Sequence, residues 1–170
     1  MSEPIVNKVA DSGLITFDLT QFLIGQDIVL FDIKQYLFME LILKEKEFRA
    51  NLLTTDWTVF QDKHVGIYCS IDAVIPMWAN MLIASALEPY ARSIHFGNED
   101  QVRADIILKG IHQLNIEEYK DQRLVIKGCG ETPVGESAYI AITHKLKPVV
   151  KSIMYGEPCS TVPVYKRKEP

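Results

Sequence analysis

An α/β fold, a mixed sheet with a parallel core, follows from three features of this sequence. A unit of about 40 residues occurs twice, strand-prone and helix-periodic runs alternate from His64 onward, and further strand-prone runs precede them in the first 55 residues. Alternation of strand and helix implies parallel strands joined by crossover helices, because a parallel pair cannot be closed by a tight turn.

The repeat carries most of the argument. Leu87-Glu88-Pro89-Tyr90-Ala91-Arg92-Ser93-Ile94-His95-Phe96-Gly97 aligns with Leu146-Lys147-Pro148-Val149-Val150-Lys151-Ser152-Ile153-Met154-Tyr155-Gly156, with five of eleven positions identical at a spacing of 59. The same spacing runs upstream without a gap, matching Ile83 to Ile142, Ala79 to Ala138, Ile67 to Ile126, Asp62 to Asp121 and Asp56 to Asn115. Residues 56–98 and 115–157 are therefore expected to be an internal βαβ duplication, and repeats fix an architecture before any other signal.

In chain order, Leu14–Leu19 and Ile28–Ile33 read as strands at the sheet edge, with Leu37–Leu43 as a further strand or turn and a charged helix near Lys44–Leu53. Asp56 and Asn115 are each expected to cap a short helical turn, since their side chains can accept from an orphan amide. Strands follow at His64–Cys69 and Arg123–Lys127. The first repeat helix is expected over Ala73–Leu87, started by Ser70 or Asp72 and ended by Pro89. The second starts at Thr132 and Pro133, with Val134, Ala138, Ala141, Ile142 and Leu146 at a 3.6 period. Second strands, Arg92–Phe96 and Lys151–Tyr155, end at Gly97 and Gly156. Between the copies, Glu99–Gln113 is amphipathic, with Val102, Ile106, Ile107 and Ile111 on one face. The whole, residues 1–170, is expected to be a single domain.

Composition excludes several classes. The chain has 170 residues, 48% hydrophobic and 24% charged, with a net charge of −4. That is the balance of a globular protein with no general basic field for nucleic-acid backbones. The basic run Lys166-Arg167-Lys168 reads as a solvated tail. No secretory leader and no apolar stretch of membrane-spanning length is evident, so a cytoplasmic protein free of membrane and nucleic-acid partners is expected. Mean hydropathy is +0.04. Together with a helix at Ala73–Leu87 that is apolar nearly all round (Met77, Trp78, Met81, Leu82), it leads to the expectation of a homodimer.

Three cysteines, an odd number without an export signal, point to reduced thiols. Cys69 ends the first strand of copy one, Cys129 sits at the equivalent junction of copy two, one residue out of register, and Cys159 follows the last strand. In a parallel sheet all three fall at the carboxyl edge, where open α/β sheets bind ligands. With Asp72, Glu131 or Glu157 in support they could hold zinc or an iron–sulfur cluster, or one low-pKa thiolate could act as nucleophile. Against this stands a non-enzymatic homodimeric binding or structural module whose cysteines are inert and buried. Lys127 beside Gly128 and Gly130 hints at a small anion, although a third glycine of a phosphate loop is lacking. His64, His95, His112 and His144 have no metal-ligand spacing and read as structural or surface residues.

The stretches Leu43–Arg49, Cys69–Trp78, Lys127-Gly128-Cys129-Gly130 and Ser152-Ile153-Met154-Tyr155-Gly156-Glu157-Pro158-Cys159-Ser160-Thr161-Val162-Pro163 resemble an uncharacterised bacterial protein family over the whole chain. The resemblance implies a stand-alone cytoplasmic protein and supplies no activity, substrate or catalytic residue.

Overall fold

The computed structural model describes residues 13–127, 132–157 and 160–168. Its elements, in chain order, are β1 (Leu14–Phe17), β2 (Ile28–Asp32), α1 (Glu45–Thr54), β3 (His64–Tyr68), α2 (Met77–Leu87), β4 (Ser93–Phe96), α3 (Glu99–Gln113), β5 (Arg123–Ile126), α4 (Glu136–Leu146), β6 (Ser152–Glu157) and β7 (Ser160–Lys166). Short 3-10 turns lie at Leu19–Leu23, Ile33–Tyr36, Trp57–Phe60 and Ile116–Tyr119. The chain gathers into two compact units, a middle unit of residues 25–105 and a split unit made of residues up to 24 and from 106 onward.

The expected mixed α/β architecture with a parallel core is present, and its strands are divided between two sheets. The middle unit has three parallel strands in the order β2-β3-β4; the split unit has β1-β5-β6-β7, parallel except for the last pair. Both edges of β5 are occupied, by β1 and β6, so none remains for β4. The two N-terminal strands are edge strands, as expected, one to each sheet.

Residues 57–96 and 116–157 carry the same order of elements: 3-10 turn, strand, helix, strand. The details repeat too. Asp56 Oδ1 accepts from Thr58 N at 3.0 Å, and Asn115 Oδ1 from Glu117 N at 3.3 Å, as the capping argument required. Asp62 and Asp121 both take positive φ, 59° and 58°, and donate their amides to Tyr90 and Val149 carbonyls. The first strands pair with a matching N-terminal segment, Leu14–Leu23 for β5 and Ile28–Leu37 for β3. These two segments share Phe17/Phe31, Asp18/Asp32, Gln21/Gln35 and Leu23/Leu37, a second repeat at a spacing of 14. In each, the aspartate ends the strand region and caps the 3-10 turn that follows.

Each unit has its own apolar core. In the middle unit Val65, Ala79, Ile83, Leu87 and Phe48 are fully buried; in the split unit Leu124, Ile142, Leu146, Val150 and Ile153 are. Burial of each of the larger side chains stabilises its unit by about 1.5–3 kcal/mol.

Four expectations move. Both repeat helices start later than read, at Met77 and Glu136. Pro76 sits at the N-cap in an extended conformation (ψ 141°), as does Gly135 (ψ 158°). A proline also drives its predecessor out of the helical region, so the approach to Pro76 stays extended. Leu37–Leu43 contributes one isolated bridge, Phe38 to Ile42, rather than a strand. Helix α2 turns Ala79, Ile83 and Leu87 into the core and lays Trp78 against Phe48 and Arg49 of α1, so the N-terminal segment covers part of it. Finally, the basic run is no free tail. β7 pairs with β6 up to Lys166, and Arg167 donates to Asp121 Oδ1 and to the Val149 carbonyl.

Candidate functional site

The carboxyl ends of β1 and β5 in the split unit open on a cavity of about 690 Å³. Its charged wall is Asp18 and Lys127, whose Nζ donates to Asp18 Oδ2 at 2.9 Å. Each is the residue immediately after a strand, and the parallel register sets Phe17 opposite Ile126, bringing the two side chains together. Asp18 is also a cap, its Oδ1 accepting from Thr20 N at 2.9 Å and Thr20 Oγ1 at 2.7 Å. Burial alone would raise the Asp18 pKa, but the bonds from Lys127 and Thr20 outweigh it and hold the carboxyl below its ordinary value of 3.8. Opposite stand Glu136 and Tyr139 of the first turn of α4, and Tyr155 of β6. Tyr139 donates to the Lys127 carbonyl at 3.3 Å, and its ring meets Tyr155 edge-on at 5.6 Å.

The middle unit has a cavity of about 660 Å³ at the corresponding edge. Seven positions line both cavities, in the pairs 19/33, 132/73, 134/75, 136/77, 139/80, 140/81 and 155/96. The walls differ chemically. Where the split unit has Thr132, Glu136, Tyr139 and Tyr155, the middle unit has Ala73, Met77, Asn80 and Phe96. Met77 and Phe96 are 78% and 71% exposed. Asp32, the counterpart of Asp18, accepts from the Ser70 amide at 3.1 Å, so it is tied to backbone where Asp18 meets a cation.

Of the residues singled out from the sequence, Lys127 lies in the split unit's cavity, while Cys69 and Asp72 line that of the middle unit. Cys69 is a free, partly buried thiol. Glu157 ends β6 opposite Ser160. Gly128, Cys129, Gly130, Glu131 and Cys159 lie outside the described residues. Among the described residues no three His, Cys, Asp or Glu side chains gather as metal ligands.

One constellation escaped the sequence reading. At the amino ends of β3 and β4, Ser93 Oγ stands 2.6 Å from His64 Nδ1 and 2.6 Å from His95 Nε2, and His95 Nδ1 stands 3.0 Å from Asp105 Oδ2. Serine, histidine and aspartate thus occur in the order of a hydrolytic triad. The remaining bonds give it another sense. Gln26 Oε1 accepts from Arg92 at 3.3 Å and lies 2.7 Å from His64 Nε2, which makes that nitrogen a donor. Asp105 likewise faces a donor on His95 Nδ1, so the Ser93 hydroxyl lies between the two remaining ring nitrogens with one proton for the pair. In a triad the serine meets one histidine alone, whereas this hydroxyl is held between two. The cluster fastens β3, β4 and α3 together. The register that sets His64 beside Ser93 is its source.

Fold and site together define an α/β protein with two sheets, one parallel and one mixed with a parallel core, each with a cavity at its carboxyl edge. The chain belongs to the DUF2480 family of proteins of unknown function, which it matches over residues 3–167. Neither a curated protein nor a solved structure matches it. Among the described residues no helix is long and apolar enough to cross a membrane.

Proposed function

We propose that the protein binds a small polar molecule in the carboxyl-edge cavity of the split unit. One observation carries this reading: a 2.9 Å Lys127–Asp18 pair set on the wall of a cavity of about 690 Å³ at the ends of adjacent parallel strands. That is the volume of an ordinary metabolite site, at the edge where such sheets hold ligands. A ligand with an acidic group takes up Lys127, a donor group meets Asp18 or Glu136, and a flat or apolar body rests between Tyr139, Tyr155 and Val134.

The thiol reading rests on sequence position. Cys129 follows Lys127 by two residues in the sequence and precedes the N-cap of α4 by six, and both an ammonium and a helix N-terminus favour a thiolate. A metal held by Cys129 and Cys159 is a narrower form of the same idea, tested by elemental analysis of fresh protein. An absence of metal, with three thiols reacting only after unfolding, favours a binding module with inert cysteines.

Thermal-shift screening of a metabolite panel against wild type, Lys127→Met and Tyr155→Ala tests the main reading. Compounds that raise the Tm of wild type are expected to lose most of that effect in both variants. Equal shifts in all three proteins place the ligand elsewhere and sink it.

A further inference from the structure

The strongest observation outside that cavity lies at the opposite edge of the same sheet. Arg123, Ser152 and Lys166 are neighbours across β5, β6 and β7, since Arg123 registers with Ser152 and Ser152 with Lys166. With Lys151, Arg167 and Lys168 they line a cavity of about 570 Å³. Arg167 is engaged by Asp121 and the Val149 carbonyl. None of the other four forms an ion pair among the described residues, although the charge of Lys151 is felt by Asp121, and no carboxylate lines the cavity among them. In a chain of net charge −4 this concentration of positive charge is local.

A second, independent observation points to a ligand. Ser152 is 8% exposed, and its Oγ is buried with no hydrogen-bond partner among the described residues. A buried hydroxyl is ordinarily bonded. Its counterpart in the middle unit, Ser93, is bonded on both sides by His64 and His95. The split unit has Arg123 and Met154 at those two positions. Methionine offers no comparable partner, and an arginine, which only donates, cannot take the hydroxyl proton.

We propose that this cavity binds a small molecule carrying two or more phosphate charges, with Arg123, Lys151, Lys166 and Lys168 around the phosphates and the Ser152 hydroxyl donating to one of their oxygens. A single carboxylate would leave most of these charges uncompensated, whereas a phosphate has the oxygens to accept from several at once. The walls of Met154, Pro163 and Tyr165 leave space for an apolar or ring-bearing body. A concave site of this volume fits a small molecule, while the net negative charge of the chain opposes a long polyanion.

The test is calorimetric titration of the full chain with inorganic pyrophosphate at 0.15 M salt. Saturable binding near one per chain is expected. Ser152→Ala is expected to weaken it on the order of tenfold, the effect of losing a hydrogen bond to a charged group. Paired Lys166→Gln and Lys168→Gln substitutions, both at exposed positions, should weaken it further, and Lys127→Met should leave it unchanged. Absence of heat with pyrophosphate overturns the proposal. So does unchanged affinity in the paired lysine variant, which serves if Ser152→Ala fails to fold. Binding of an oligonucleotide alone, with a steep salt dependence, assigns the patch to nucleic acid and overturns it as well.

Discussion

Asp18 does two things with one carboxylate: one oxygen caps a 3-10 turn and the other takes the Lys127 ammonium. Asparagine keeps the first function and loses the second, so the two are separable. Asp18→Asn is expected to cost about 0.5 kcal/mol in urea denaturation, the worth of a half-exposed pair. Asp18→Ala, which also loses the cap, should cost about 1.5 kcal/mol. Because the folded carboxyl lies below its unfolded value of 3.8, its contribution is complete above that value and is lost as the pH falls through the folded one. Wild type should therefore lose more stability than Asp18→Asn between pH 5 and about pH 2, and parallel stability–pH curves would disprove the assignment. Lys127 was legible as a site residue because it follows a strand beside glycines. Asp18 was not, since its role depends on which strand lies next to β5, and that partner is distant in sequence.

At the scale of elements, Gly97 and Gly156 are counterparts with φ of 126° and 123°, the first just after β4 and the second within β6, which runs through its glycine to Glu157. What stands in the way of a side chain differs. A Cβ at Gly156 would meet the Ser160 carbonyl at 2.4 Å, backbone of β7, whereas at Gly97 it would meet the Gln101 side chain. A side chain can turn aside and a strand cannot. Both alanine variants carry backbone strain of about 1–3 kcal/mol, and Gly156→Ala should be the costlier, with faster amide exchange in β7. Equal losses would mean that β7 yields freely. Helix and strand positions were largely readable, because period and capping residues are local. β7 was not, since Pro163 and three consecutive cations mark a solvated segment, yet an edge strand tolerates proline. The late starts of α2 and α4 were missed because proline suits both the first helical turn and the extended approach to it.

For the molecule as a whole, the expectation of a homodimer rests on apolar surface that the chain does not cover. Met77 and Met81 of α2 are 78% and 70% exposed, and Phe96 of the same unit is 71% exposed. Trp78, by contrast, is packed within the chain. Light scattering at micromolar concentration should give twice the chain mass, and Met81→Lys should reduce it to one. A single-chain mass for wild type removes the dimer. The division into two sheets was hidden for a related reason: alternating strand and helix give parallel pairing, but edge occupancy depends on where β1 and β2 dock.

The order of those two strands bears on how the protein is made. β2 meets β3 after about 35 residues, whereas β1 meets β5 after about 110. On a ribosome the middle unit has all its chain available early, while β1 waits, unpaired, until nearly everything else has emerged. Closing the longer loop is entropically costlier and non-local pairing is slow. Pulse-labelled exchange during refolding should protect the amides of β3 before those of β5. A nascent chain halted before residue 120 would then carry one finished sheet and one exposed, waiting strand, the form of this protein most in need of a chaperone.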